Sequence, residues 1–421
     1  MSENAFQIRD LVKKHHELSK HSINLNAASN LPSNLVREIA SSDALRRITA
    51  QVRGRSVYGG TKYLDKAIQN STELARRLFR ADFASINPMS GNIAILSALL
   101  GLLEPDHVLV NTPSEYGGYP LPDRLRSHAH YPFHVKYFPF NPDEWNINLE
   151  DAIQSVIRLK PHILMLGSAD MLFPHPAREL SNVAQEVGAI TVFDGAHVLG
   201  LIAGGEFQDP LNEGCSVLTG GTNKSFPGPH RGIILVKGDR EVFDKVEAPS
   251  RPPPLLQSTC DLGTTIAVGI ACAEMLEFGQ DYVHQVVRNA RVLGEALHQH
   301  GVQGLVCPHR GFTNSHMLIQ RVGTSLASDE GFEVKEKLEE ANIFVDAVVR
   351  YGVGEVTRRG MKEGEMKHLA ELIAKVLVEH IDPKKVRVEV SELSARFQNV
   401  EYSFEQMKDA FAYFDLAQSL R

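Results

Sequence analysis

The stretch "HILMLGSADMLFPHPARELSNVAQEVGAITVFD", residues 162–194, decides the fold. It opens on a short apolar run (162–167), crosses a proline-containing loop, and continues with apolar residues at helical spacing over 177–188. It closes on a second apolar run, 189–194. Short apolar runs bounded by Gly and Pro read as buried strands, and the spacing over 177–188, ended by Gly188, reads as a helix. The same alternation extends outward. "NIAILSALLGLLEP" (92–105) predicts a helix stopped by Pro105, and "HVLVN" (107–111) predicts a strand. "LEDAIQSVIRLK" (149–160) predicts an amphipathic helix ended by Pro161, while "CSVLTG" (215–220) and "GIILVKG" (232–238) predict strands. Alternation of this kind predicts an α/β fold, a parallel sheet covered by helices on both faces. Ligands of such sheets bind at the carboxyl ends of strands, which directs attention to the loops after Gly167, Phe193 and Thr219.

The 421 residues are 43% hydrophobic and 23% charged, an ordinary globular composition with room for more than one domain. A formal charge of −7 gives no electrostatic case for nucleic acid or an anionic membrane. The first residues, MSENAFQIRD, lack the charged-then-apolar pattern of a secretory signal. The longest apolar run, Ala94–Leu103 interrupted by Ser97, is too short to cross a bilayer. Cys215, Cys260, Cys272 and Cys307 form no C-x-x-C pair, so neither a disulfide framework nor a zinc knuckle is indicated, and a cytoplasmic location is expected. "EAPSRPPPLLQST" (247–259) is a composition break that reads as a linker or inter-subunit loop. A long helical pattern (about 264–300) and a helix-rich tail (363–421) follow it. The expected domains are an N-terminal helical arm (1–25), a large domain (26–262) and a small domain (263–421).

At the end of the predicted strand 215–220 lies "TNKSFPGPHRG" (222–232), a lysine on a loop stiffened by Pro227 and Pro229. It is not a phosphate-binding P-loop, because Asn223 stands where that motif needs Gly. An amine held in a dry pocket loses its charge readily and becomes a nucleophile able to form a Schiff base. The plain alternative is an exposed loop lysine. Asp194, also at a strand end, is placed to pair with a pyridinium nitrogen, and His197 to lie near the same ring; an Asx turn capping a helix is the simpler reading. Ser90, Gly91 and Asn92 open a helix, whose N–H groups suit a phosphate or merely an N-cap. Tyr116 is a candidate for stacking on a planar ring, Ser168 for a hydroxyl contact to it, and Arg350 for clamping a substrate carboxylate. His128, His130 and His134 read as a polar strand face or part of a substrate entrance; without a nearby acid or cysteine pattern they are not taken as a metal site.

The order of these residues resembles fold-type-I pyridoxal phosphate enzymes, and the wording resembles the serine hydroxymethyltransferase family. The family's Y-Y-G-G appears as Val57-Tyr58-Gly59-Gly60, and its H-S-G-S is similar to Met89-Ser90-Gly91-Asn92. D-M-A-H-x-x-G-L is similar to Asp194 through Leu201, and T-H-K-T-L-x-G-P to Thr222 through Pro229. I-R-x-G-x-x-x-x-T-R-R-G resembles Val349 through Gly360. The resemblance implies a mostly parallel seven-stranded sheet with a smaller α+β C-terminal domain. It implies pyridoxal 5'-phosphate as cofactor, Lys224 as the Schiff-base lysine, Asp194 at the ring nitrogen, and His197 and Ser168 near the phenolic oxygen. Ser90, Gly91 and Asn92 would hold the phosphate. Tyr116 and Thr222 join the cofactor site, and Arg350, Ser29 and Tyr58 the substrate site. Tyr58 would come from the second copy of a homodimer.

Departures from the family bear on the reaction. The family's K-Y-A-E-G stretch appears as Ile48-Thr49-Ala50-Gln51, without its acid, and A-S-E-N appears as Ala27-Ala28-Ser29-Asn30. Tyr116, beside Glu115, stands for the ring-stacking histidine, and Asn223 for the histidine before the lysine. The family's glycine-rich segment falls in the "PSRPPP" region. "GPHRG", "EFGQDY" and "GFTNSH" are similar to the threonine transaldolase branch. The expected activity is making or breaking the Cα–Cβ bond of a β-hydroxy-α-amino acid, with an aldehyde and no folate. Racemisation and decarboxylation on the same scaffold are the alternatives, and a non-enzymatic paralogue a further one.

Overall fold

Residues 162–194 form a strand, Ile163–Leu166, a helix, Ala177–Val187, and a parallel neighbouring strand, Ile190–Asp194. The structure is a computed structural model that describes residues 2–52, 55–251, 255–323, 327–404 and 409–411. Pro252–Pro254 of the expected linker and the end of the expected helical tail lie outside the described residues.

The chain divides into two units, residues 35–283 and residues 1–34 with 284–421. In the first unit the strands are β1 (Phe83–Ser85), β2 (Val108–Asn111), β3 (His134–Tyr137), β4 (Ile163–Leu166), β5 (Ile190–Asp194), β6 (Val217–Gly221) and β7 (Gly232–Val236). They make one seven-stranded sheet in the order β1-β7-β6-β5-β4-β2-β3. β7 alone runs antiparallel to its neighbours, β6 and β1. β4, β6 and β7 are buried at every residue, as strands covered on both faces must be.

Helices form where caps and apolar spacing agree. α1 (Gly91–Leu102) begins at Ser90, whose Oγ accepts the Ile93 N–H. α2 (Leu149–Leu159) begins at Asn148, whose side chain accepts the Asp151 N–H, and ends on Lys160 in the left-handed region before Pro161. α3 (Ala177–Val187) buries Ala177, Leu180, Ser181 and Ala184, one stripe at helical spacing, and ends on Gly188 at φ 76°. α4 (Arg240–Glu247) is capped by Asp239. The core under one sheet face joins Ile95, Leu99 and Leu102 of α1, Phe243 and Val246 of α4, and Ile163, Met165, Val192, Val217, Ile234 and Val236 of the strands. Each such side chain contributes about 1.5–3 kcal/mol. α1 and α4 approach so closely that a Cβ on Gly101 would lie 2.1 Å from Lys245 O.

α5 (Leu262–Gln299) carries the division between the units, at Val283/His284, whereas the expected boundary stood at 262/263. It is the one described helix long and apolar enough, by length and composition, to cross a bilayer; 61% of its most apolar window is buried inside the protein. In the second unit Ile23–Asn24 pairs parallel with Ile343–Phe344, and Met317–Ile319 pairs antiparallel with Arg350–Gly352. This pairing ties the residues around position 25, where the expected arm ended, into the unit that holds the C-terminal helices Glu363–Leu377 and Pro383–Ala395.

β1 and β3 were not foreseen, and the three histidines do not share a strand face. His128 ends the helix Leu121–His128, His130 sits at φ 53°, and only His134 lies in β3.

Candidate active site

β6 delivers Lys224. Beyond its last residue the chain makes a loop closed by Thr222 N–H donating to Arg231 O (2.9 Å) and Gly228 N–H donating to Thr222 O (2.8 Å). The Thr222 hydroxyl donates to Pro229 O at 2.5 Å and accepts from the Arg231 N–H at 3.2 Å. Thr222 is fully buried, and its hydroxyl closes the loop instead of facing the cavity expected for it. Ser225 Oγ accepts the Gly200 N–H at 3.0 Å, and Gly200 has no room for a side chain, with Ser225 O 2.3 Å from its Cβ position. The loop therefore leaves Lys224 little freedom except along its own side chain, whose Nζ reaches His197 Nε2 at 3.0 Å.

β5 delivers Asp194 and His197, 7% and 6% exposed. Parallel register pairs Asp194 with Thr219, so the ends of β5 and β6 lie level. Asp194 Oδ1 accepts the Ala196 N–H at 3.0 Å, the turn that brings His197 back over the strand end. Burial pushes the Asp194 carboxyl above the usual carboxylate range, opposed by the Ala196 N–H and the charge of Lys224.

α1 contributes Ser90, Gly91 and Asn92 from its first turn. A Cβ on Gly91 would lie 3.1 Å from Gly221 Cα, so the helix start is set against the end of β6. β4 contributes Ser168 through the turn at Gly167, which has φ 92°. These groups enclose a cavity of about 270 Å³ with Lys224, Asp194 and His197 on its wall. Asn223, His230 and Tyr119 complete it.

Tyr119, not Tyr116, reaches this cavity. The Tyr116 ring stacks on Phe140 at 4.2 Å and meets Trp145 edge-on at 5.7 Å. Between the two tyrosines Gly117 turns at φ 79°, and Gly118 lies against Thr112 O, 1.8 Å from its Cβ position. The chain reverses there, and the second tyrosine faces the strand ends, its OH donating to Asn92 Oδ1 at 2.7 Å. The paired tyrosines in "YGGY" (116–119) were the available signal. Tyr58 sits on an exposed bend outside this cavity, 41% accessible.

Ser29 and Arg350 belong to the other unit, where packing brings their segments together. Gly352 N–H donates to Leu25 O at 2.7 Å, and a Cβ on Gly352 would lie 2.5 Å from Ala27 Cα. Ser29 Oγ accepts from Asn24 Nδ2 at 3.0 Å. The Arg350 guanidinium is held by Asp346 Oδ2, 2.8 Å from both Nε and Nη2.

An amine, a buried carboxyl and a helix N-terminus around one cavity match the aldehyde, ring nitrogen and phosphate of pyridoxal phosphate, and the absence of a side chain at Gly91 lets the helix start approach the end of β6, which leads to Lys224. The fold and this donor set define a fold-type-I pyridoxal-phosphate-dependent enzyme. A profile of the serine hydroxymethyltransferase family matches residues 1–373. The chain is 38% identical to the serine hydroxymethyltransferase of Methanothermobacter marburgensis, covering 97% of this chain and 98% of that protein. It is likewise 38% identical to that of Korarchaeum cryptofilum, over 95% and 97%. Among solved structures it is similar to the L-threonine transaldolase of Pseudomonas fluorescens, with TM-score 0.85, 26% identity and 99% of each chain covered. The chain belongs to the serine hydroxymethyltransferase family, and its cofactor is pyridoxal 5'-phosphate.

Proposed function

We propose that this enzyme makes and breaks the Cα–Cβ bond of a β-hydroxy-α-amino acid without folate, as an aldolase or a transaldolase that exchanges one aldehyde for another. The observation that carries this reading is a cofactor cavity with Lys224, Asp194 and His197 together, in a chain that has Gln51 and Ser29 where the family carries acids. The similarity to a threonine transaldolase supports it.

When bound, pyridoxal phosphate supplies an electron sink for the pair left at Cα. Lys224 would hold the cofactor through its Nζ amine. His197, 3.0 Å away, exchanges a proton with that amine. Asp194 would keep the ring nitrogen protonated, the positive ring offsetting the burial that otherwise disfavours its carboxylate. Ser90, Gly91 and Asn92 would bind the phosphate, Tyr119 would cover the ring, and Ser168 would donate to the phenolic oxygen. Ser29 and Arg350 orient the substrate carboxylate, and Tyr58 acts from the second copy of a homodimer.

The test is holoenzyme with L-threonine, with and without a second aldehyde and tetrahydrofolate. Acetaldehyde release and incorporation of the second aldehyde, independent of folate, are expected. Turnover of serine only with tetrahydrofolate would overturn the proposal in favour of hydroxymethyl transfer. Scrambling at Cα without aldehyde release would indicate a racemase, and oxygen uptake with loss of CO2 a decarboxylase.

A further inference from the structure

Ser168 stands on the cavity wall because the turn before it is held from several sides. Gly167 leaves β4 at φ 92°, and a Cβ there would fall 2.0 Å from Asp194 O, so this turn rests directly on the end of β5. Its carbonyl accepts from Thr112 Oγ1 at 3.2 Å, and its N–H donates to His175 Nδ1 at 3.2 Å. The following Ala169 N–H donates to Gly117 O at 2.7 Å. Two buried side chains thus fix the two successive peptide groups that flank the Gly167 Cα, His175 the one that enters from β4 and Thr112 the one that runs on to Ser168.

His175 is held as a support for that single contact. Pro174 and Pro176 flank it. Gln208 grips its main chain at both ends, with Oε1 accepting the His175 N–H at 3.1 Å and Nε2 donating to the His175 carbonyl at 3.2 Å. Glu213 braces Gln208 in turn, at 2.7 Å. His175 is 4% exposed. Burial pushes its pKa down to about 4, so the ring stays neutral and Nδ1 keeps its lone pair at neutral pH.

We propose that His175 is a positioning residue for the cofactor: by accepting the Gly167 N–H it sets the direction in which Ser168 Oγ meets the phenolic oxygen of bound pyridoxal phosphate. This rests on the reading that Ser168 faces the cofactor. An imidazole Nδ1 and an asparagine Oδ1 occupy nearly the same place on a side chain, whereas glutamine puts its oxygen one bond further out. The location of the acceptor is therefore separable from its mere presence.

The experiment records the visible absorbance maximum of the holoenzyme and the dissociation constant for pyridoxal phosphate in His175→Asn, His175→Gln, His175→Leu, Thr112→Val, Thr112→Ser and Ser168→Ala. His175→Asn is expected to keep the wild-type maximum and an affinity within about threefold, while His175→Gln and His175→Leu displace the maximum and weaken cofactor binding about tenfold. Thr112→Val acts on the same residue, Gly167, from its carbonyl side and shifts the spectrum in the same direction; Thr112→Ser, which keeps the hydroxyl, does not. If His175→Leu fails to fold, Thr112→Val decides. Folded His175→Leu and Thr112→Val with the wild-type spectrum and affinity would overturn the proposal, as would asparagine and leucine at 175 behaving alike. Ser168→Ala separates the two levels: an unchanged spectrum there removes the reading of Ser168 itself, whereas a shift there with none in the His175 variants removes only the role of His175.

Discussion

Lys224 Nζ and His197 Nε2 lie 3.0 Å apart, although they belong to different loops, one after β6 and one after β5. Parallel pairing of the two strands, with Asp194 level with Thr219, makes this contact possible. A proton donor or acceptor is thus built in beside the amine before any substrate arrives.

Replacing Lys224 with alanine should remove the absorbance band that borohydride abolishes in the wild type, and should lower turnover by at least about a thousandfold. His197→Asn should keep that band and lower kcat by about ten- to a hundredfold. Spectra and steady-state rates of the two holoenzymes check this. A borohydride-sensitive band in Lys224→Ala would mean that another amine carries the cofactor.

Asp194 links stability to pH in the cofactor-free protein. Burial raises its folded-state pKa above the unfolded value, so its contribution is fully present below the unfolded pKa and is lost as pH rises through the raised one. Apo Asp194→Asn should therefore melt higher than apo wild type near neutral pH, with the difference shrinking as the pH falls toward about 4. Adding pyridoxal phosphate should reverse the order, because the wild-type carboxylate then has a cation to pair with. Melting curves of both proteins, with and without cofactor across that range, test the sign.

Two glycines should respond oppositely to alanine. At Gly101 the added methyl would meet Lys245 O at 2.1 Å, so α1 and α4 must separate, at a cost of about 1–3 kcal/mol. At Gly364, inside the helix Glu363–Leu377, nothing lies within 4 Å, and alanine should be neutral or stabilise by up to about 1 kcal/mol. Urea denaturation of the two variants would show whether packing or helix propensity governs each site.

Arg350 is held by Asp346 through Nε and Nη2. Arg350→Lys loses the planar fork, and the Michaelis constant for the amino acid should rise about tenfold or more, with a much smaller change in kcat. Equal losses in kcat and kcat/KM would instead place Arg350 in the chemical step.

Much of this architecture is written locally in the chain. The strands β2, β4, β5, β6 and β7 are apolar runs between Gly, Pro and Asn, and α1, α2 and α3 carry their own caps and stops, so each element is readable without its neighbours. β1 and β3 were not. β1 has three residues, and β3 is an edge strand whose His134, Tyr137 and Lys136 give it no buried stripe. β1 owes its place to β7, far away in sequence, and β3 to its pairing along β2, the preceding strand of the sheet.

The candidate site divides along the same line. The chemistry of single residues at strand ends and helix starts pointed to Lys224, Asp194, His197, Ser90, Gly91, Asn92 and Ser168, which line one cavity, because which loop follows which strand is a matter of sequence order. Only the folded chain distinguishes Tyr119 from Tyr116, because the reversal at Gly117 and Gly118 decides which ring meets the cavity. The fold also spends the Thr222 hydroxyl on Pro229 and sets His175 behind Ser168. Periodicity and residue chemistry are local properties that the sequence determines by itself. The direction of a side chain depends on what the rest of the chain has already packed against it, and the tertiary structure decided that.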